Sequence, residues 1–76
     1  MIKVWVYGQL EDVTGASVIT LDDIFDTDML TQNLFQQYPL LRDKKFLVAV
    51  DKHVVTEKTA IDSNAEIALL PPFSGG

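Results

Sequence analysis

The sequence contains no cysteine. Disulfides, thiolate nucleophiles and cysteine-ligated metal centres are therefore excluded. Basic residues are scarce: six Lys and Arg stand against 11 Asp and Glu, for a net charge of −5 and a pI near 4.4. Nucleic-acid affinity rests on Lys and Arg neutralising phosphates, so nucleic acid is not an expected partner, and a protein with a basic face suits this balance better. There is one histidine, His53, in a turn-like Asp51-Lys52-His53 segment. Without a cysteine or a second histidine it makes no metal site, and a solvated side chain is the expectation. No apolar run approaches the roughly 18 residues that span a bilayer, and no secretory leader opens the chain. The expectation is a soluble cytoplasmic protein with no membrane contact. No pair of side chains reads as a nucleophile and base, so no catalytic residue is expected in this chain.

What is present suffices for one small domain. A chain of 76 residues buries only about 60% of its unfolded surface, but a hydrophobic fraction of 47% provides a core. Ile2 to Tyr7 alternates, with Ile2, Val4 and Val6 on one side and Lys3, Trp5 and Tyr7 on the other, which predicts a strand with a partly aromatic outer face. Gly8 and Gly15 bracket Gln9 to Thr14, a helical turn or loop. Ser17 to Leu21 predicts a second strand, with Ile19 and Leu21 inward, forming a hairpin with the first. Asp22, Asp23, Asp26 and Asp28 suit turns and a helix N-terminus better than an acid–base or metal site. Thr27 is the expected N-cap. Met29, Leu30, Leu34, Phe35 and Tyr38 follow at helical spacing, a core-facing stripe ended by Pro39. Leu40 and Leu41 are expected to cover one end of the core. Phe46 to Val50 is almost continuously apolar and predicts a central strand. A shorter strand begins at Val54, Asp62 to Ala65 turns, and Glu66 to Leu70 is the last strand.

Proline and glycine are sparse, yet two of the three prolines and two of the four glycines fall in the last six residues, Pro71-Pro72-Phe73-Ser74-Gly75-Gly76. Two terminal glycines arise by chance in roughly one chain in 200. Proline cannot donate to a sheet ladder, so Pro71 and Pro72 stop the last strand at Leu70. The domain is therefore expected at 1–70, with a flexible, extended Gly-Gly arm at 71–76. Six extended residues reach roughly 20 Å, and glycines without a Cβ can thread a narrow channel. The terminal carboxylate could then be presented to another protein's active site, where activation as an acyl-adenylate would open it to a sulfur or amine nucleophile. A frayed tail is the plainer alternative. If Ile67 and Leu69 point inward, then Leu70 points outward beside Trp5 and Tyr7. Val54 is expected outward and Val55 inward. Trp5, Tyr7, Val54 and Leu70 would then form an apolar patch at the root of the arm, which marks a binding face unless a loop or a second copy covers it.

The ending Ile67-Ala68-Leu69-Leu70-Pro71-Pro72-Phe73-Ser74-Gly75-Gly76, the opening strand with Gly8 to Gly15, and Val48 to Val55 together resemble the MoaD-type small subunit of molybdopterin synthase, a sulfur carrier of the ubiquitin-like ThiS/MoaD family. The likeness spans the chain, and its tail is the most specific part. It departs at Glu11, where the family commonly has Arg, and mildly at Asp51, where the family often has Asn. The resemblance implies an α+β, ubiquitin-like β-grasp fold: a mixed sheet, one main helix across it, and parallel first and last strands in the middle. It also implies a cycle. A ubiquitin-activating-type adenylyltransferase uses ATP to adenylate Gly76, and a persulfide sulfur replaces AMP to leave a thiocarboxylate. The large subunit of molybdopterin synthase then takes the sulfur into a pyranopterin precursor, in an expected heterotetramer. The arm, Pro71, Pro72, Phe73, Ser74 and Gly75, would thread the partner's channel, while positions matching Tyr7, Val54 and Leu70 dock it. No cofactor or metal would be bound by this chain. With no thiol available, the sulfur would ride on the terminus itself. A thiamine-pathway sulfur carrier, a protein modifier conjugated through Gly76, and an inert-tailed interaction domain are the alternatives.

Overall fold

The computed structural model describes residues 1–72. Phe73, Ser74, Gly75 and Gly76, the end of the expected arm, lie outside the described residues. The first strand, β1 (Ile2–Val6), alternates strictly, with Ile2, Val4 and Val6 buried and Lys3 and Trp5 exposed. Its partner β2 (Val18–Leu21) runs antiparallel, and the register sets Ile2 against Leu21 and Val4 against Ile19. Residues paired across a ladder share a face, so four apolar side chains converge on one side. The segment between the strands forms a short helix, α1 (Leu10–Thr14), with Leu10 buried. Gly15 closes it at φ 73°, where its N–H donates to the Glu11 carbonyl at 2.7 Å. This is a left-handed cap that glycine adopts without a Cβ penalty.

The main helix, α2 (Thr27–Gln37), is capped by Asp26 rather than by Thr27. The Asp26 backbone is extended (φ −156°, ψ 172°) and its carboxylate accepts the Met29 N–H at 2.8 Å, a charge-assisted cap. Thr27 is already helical and buried, and its hydroxyl accepts the Thr59 N–H at 3.0 Å. That bond ties the 57–61 loop to the helix start and leaves the Thr27 side chain no cap to make. Leu30 and Leu34 are fully buried, with Phe35 and Tyr38 packed half-buried beside them. Met29 is exposed, because a neighbour of Leu30 in sequence lies about 100° around the helix. Pro39 ends α2 and opens a 3₁₀ turn, Pro39–Asp43. At about three residues per turn, adjacent side chains diverge by a third of a circle. Leu41 accordingly enters the core while Leu40, expected to cover it, faces solvent.

The remaining strands are β3 (Leu47–Val50), β4 (His53–Val55) and β5 (Glu66–Leu70). The sheet order is β2-β1-β5-β3-β4, with β1 and β5 parallel and every other pairing antiparallel. The centre is β5, not β3, which corrects the reading of Phe46 to Val50 as the central strand. The apolar run of β3 has another cause. Val48 and Val50 pair with Leu69 and Ile67 on the helix-covered face, while Leu47 and Ala49 pair with Leu70 and Ala68 on the opposite one. Both faces of β3 are apolar although only one is covered. His53 opens β4 instead of lying in the turn, which is made by Asp51 and Lys52 at φ 49° and 72°, the left-handed pair of a tight hairpin.

Candidate docking face and arm root

The face of the sheet away from α2 is built by register. Trp5 pairs with Val18 on β2 and Ala68 on β5, Ala68 pairs with Ala49 on β3, and Ala49 pairs with Val54 on β4. One step toward the C-terminal end of β5, Leu70 pairs with Leu47. Tyr7 stands beside them just past β1, its N–H donating to the Leu69 carbonyl at 3.1 Å. Tyr7 is 49% exposed and Val54 51%, with Trp5 also exposed and Leu70 half-buried. Ala49 is 5% exposed, yet it does not belong to the core cluster around Leu30, Leu34, Ile67 and Leu69. It is instead covered within the outer face.

Trp5, Tyr7 and Leu70 therefore cluster on adjacent strands. Val54 stands apart from Trp5 by three strand spacings, about 14 Å, with Ala68 and Ala49 between them. The surface is a shallow trough with two alanines for a floor and larger side chains on its flanks. Leu47 and Ala49 belong to it, and sequence reasoning passed over both. The signal available was the absence of any polar residue in the Leu47-Val48-Ala49-Val50 run, which requires apolar side chains on both faces of one strand.

The root of the arm lies at the C-terminal edge of this face. Pro71 is half-buried and Pro72 exposed. Gly8, at φ 61°, leaves room for the Pro71 ring: a Cβ there would stand 3.0 Å from Pro71 Cγ. The left-handed φ and this close approach both call for glycine at position 8. A groove of about 220 Å³ runs along the other side of the root, lined by Leu10, Val13, Lys44, Lys45, Pro71 and Pro72 among others. Gly75 and Gly76, with Phe73 and Ser74, are the candidate residues on which the structure bears no description.

The titratable side chains are dispersed. Among the described residues no group of three or more His, Cys, Asp or Glu could hold a metal ion, and no helix is long and apolar enough to cross a membrane. Asp26 meets Lys58 at 3.9 Å, at a largely exposed lysine, which contributes little. What this arrangement offers chemically is an apolar surface that no other described residue covers, beside a proline-stiffened exit.

The ThiS family model matches residues 4–76. The molybdopterin synthase sulfur carrier subunit of Haemophilus influenzae is 31% identical over 81 residues, covering the whole of both chains. The crystal structure of SAMP1 from Haloferax volcanii is similar at TM-score 0.76 and 21% identity, covering 99% of this chain and 98% of that one. The solution structure of small archaeal modifier protein 1 from Methanosarcina acetivorans gives TM-score 0.81 at 19% identity, covering 99% and 95%. These likenesses agree with a β-grasp sheet carrying one main helix. With its residues 4–76 matched by the family model and its full length aligned to a curated sulfur carrier, the chain belongs to the ThiS family of ubiquitin-like ThiS/MoaD proteins.

Proposed function

We propose that this protein is the sulfur-carrying small subunit of molybdopterin synthase. The observation that carries the reading is the full-length 31% identity to a sulfur carrier subunit of that enzyme. An uncovered apolar sheet face at the root of a Gly-Gly arm supports it. In this reading the carboxylate of Gly76 attacks the α-phosphate of ATP on a partner adenylyltransferase, releasing pyrophosphate and giving an acyl-adenylate. A persulfide sulfur attacks the acyl carbon and AMP leaves with the C–O bond electrons. A thiol then cleaves the resulting S–S bond, becoming a disulfide, and the thiocarboxylate remains on Gly76. The large subunit takes up that sulfur and returns a carboxylate.

The contributions of this chain are docking and reach. Trp5, Tyr7, Leu70 and Val54, with Leu47 and the Ala49–Ala68 floor, form the surface that meets first the activating enzyme and then the large subunit. Because one surface serves two partners in turn, each contact has to be reversible. The Pro71 ring seated on Gly8 orients the arm, and Pro72, Phe73, Ser74 and Gly75 thread the partner's channel. The acid–base groups are supplied by the partners.

Intact mass spectrometry after incubation with the cognate adenylyltransferase, ATP and a sulfur donor tests this directly. The expected result is an oxygen-for-sulfur exchange at the terminus. An unchanged mass, under conditions that convert an established carrier, would overturn the reading. Deletion of Gly76 should abolish the exchange and leave the urea unfolding midpoint unmoved. Isopeptide conjugates on a denaturing gel would instead mark a protein modifier, and failure to co-purify with a synthase large subunit would favour the thiamine pathway.

A further inference from the structure

The pole opposite the arm carries a second apolar depression that docking through the outer face does not use. A cavity of about 380 Å³ is lined there by Met1, Ile2, Leu21, Ile24, Phe25 and Ile61, with Asp23, Asp62 and Ser63 at its margin. It lies at the start of β1 and just before β5. Because these strands are parallel and five residues long, the arm leaves about 15 Å away, at their far ends.

Phe25 is 63% exposed, but its backbone is not a loose loop. Its carbonyl accepts the Ile61 N–H at 2.8 Å, the next residue forms a bridge with Ala60, and the Thr27 N–H donates to Thr59 at 2.9 Å. Just before it, Asp23 is held at φ 59°, a left-handed conformation that aspartate tolerates better than most residues. The chain reverses there so that Ile24 turns into the core and Phe25 turns out. An aromatic ring presented to solvent from a hydrogen-bonded backbone suits a binding anchor, since little backbone entropy remains to be lost on docking and a phenylalanine has only two side-chain torsions to fix.

Two carboxylates, Asp23 and Asp62, line the cavity. The one cation of the lining, the amino group of Met1, is met by Asp22 from outside it at 4.0 Å. Asp23 and Asp62 are in no ion pair among the described residues. An apolar hollow between unpaired carboxylates complements a segment that alternates cations with large apolar side chains, and it repels an anionic lipid surface.

We propose that this pole docks a partner protein through a basic, apolar-anchored segment, with Phe25 as the anchor surface and Asp23 and Asp62 as the counter-charges. A partner held there leaves both the outer sheet face and the arm free, so the carrier can be retained by one protein while its terminus is loaded or emptied by another.

The test is a titration of the ¹⁵N-labelled full chain with a short acetylated peptide alternating lysine with leucine and phenylalanine, followed by amide chemical shifts. The expected shifts cluster at Ile2, Leu21, Asp23 to Phe25 and Ile61 to Ser63. Phe25→Ser should weaken binding by about tenfold, as loss of an aromatic anchor does, and so should Asp23→Asn combined with Asp62→Asn. Tyr7→Asp should leave it unchanged. Because Phe25 is exposed, its truncation should also leave the fold intact, which the same spectra report. Four results would each overturn the proposal: no shifts, shifts spread along all acidic surfaces including Asp51 and Glu57, equal binding of a peptide with glutamate in place of lysine, or concentration-dependent shifts at these residues without peptide, which would make the occupant a second copy of this chain.

Discussion

The two faces of the sheet are made from the same kinds of residue and differ in what lies over them. On one face, Val4, Val6, Ile19, Ile67 and Leu69 meet Leu30, Leu34 and Leu41 and lose contact with water. On the other, Trp5, Tyr7, Leu47, Leu70 and Val54 surround the Ala49–Ala68 floor, and among the described residues no element lies across them. Hydrophobicity alone therefore does not separate core from interface in this protein. The distinction is made by one helix: Asp26 and Thr27 anchor its start, and Leu30 and Leu34 aim it at one side. An apolar face left open in this way is the surface on which the proposed docking rests.

Truncation on the helix-covered face should show the largest loss of stability. Leu34→Ala or Ile67→Ala removes a fully buried side chain, and such a change costs about 2–5 kcal/mol through lost transfer energy and the cavity left behind. In a chain with so small a core, urea denaturation should show a large fall in midpoint for either variant. A loss below about 1 kcal/mol would mean that the two faces are less different than their burial indicates.

A charge placed on the open face should reverse the balance between stability and binding. Tyr7→Asp is expected to change unfolding by about 1 kcal/mol or less, since surface substitutions seldom do more, and Leu70→Asp, at a half-buried position of β5, by about 1–2 kcal/mol, still less than truncation in the core. Affinity for a co-expressed synthase large subunit should fall by about tenfold or more, measured by calorimetry. Unfolding by either variant would show that these side chains hold the domain together. Asp26→Ala lies between these cases. It touches neither face but removes the cap on Met29 N–H, and about 1 kcal/mol of stability should be lost with no effect on partner affinity.

Legibility from sequence followed the contrast between the faces. In β1 and β5 the buried positions alternate with lysine, glutamate, aromatics or alanine, so the inward set Ile2, Val4, Val6, Ile67 and Leu69 could be read directly. In β3 both faces are apolar, and alternation carries no information when nothing alternates. Its place beside the centre, and the membership of Leu47 and Ala49 in the outer trough, came only from pairing with β5. The helix start was misplaced by one residue because Asp26, Thr27 and Asp28 are all competent caps. The choice among them was made by Thr59, thirty-odd residues away, whose N–H claims the Thr27 hydroxyl. Leu40 and Leu41, read together as core cover, are separated by the local helix type, which turns only Leu41 inward. Which of Ile24 and Phe25 turns outward was likewise decided by the left-handed backbone of Asp23, which no apolar periodicity encodes. The composition of the arm was plain from the sequence, and so was the stop at Pro71. The seat of that proline on Gly8 needed three dimensions.

The finest separation of the two faces lies within one step of β4. Val54 pairs with Ala49 on the open side, and Val55 pairs with Val48 on the helix side. Replacing each in turn with threonine keeps the β-branch and nearly the same shape, and adds one hydroxyl. At Val54 the hydroxyl meets solvent in the free protein, so stability should hardly move, while partner affinity should fall a few-fold as the hydroxyl is desolvated on docking. At Val55, half-buried against Val48, the hydroxyl loses water on folding itself and about 1 kcal/mol should be lost instead, with affinity unchanged. The two effects are small, and their value lies in being opposite in kind at adjacent positions. If both substitutions moved the same observable, the two sides of the edge strand β4 would see the same environment, and the trough would end at Ala49.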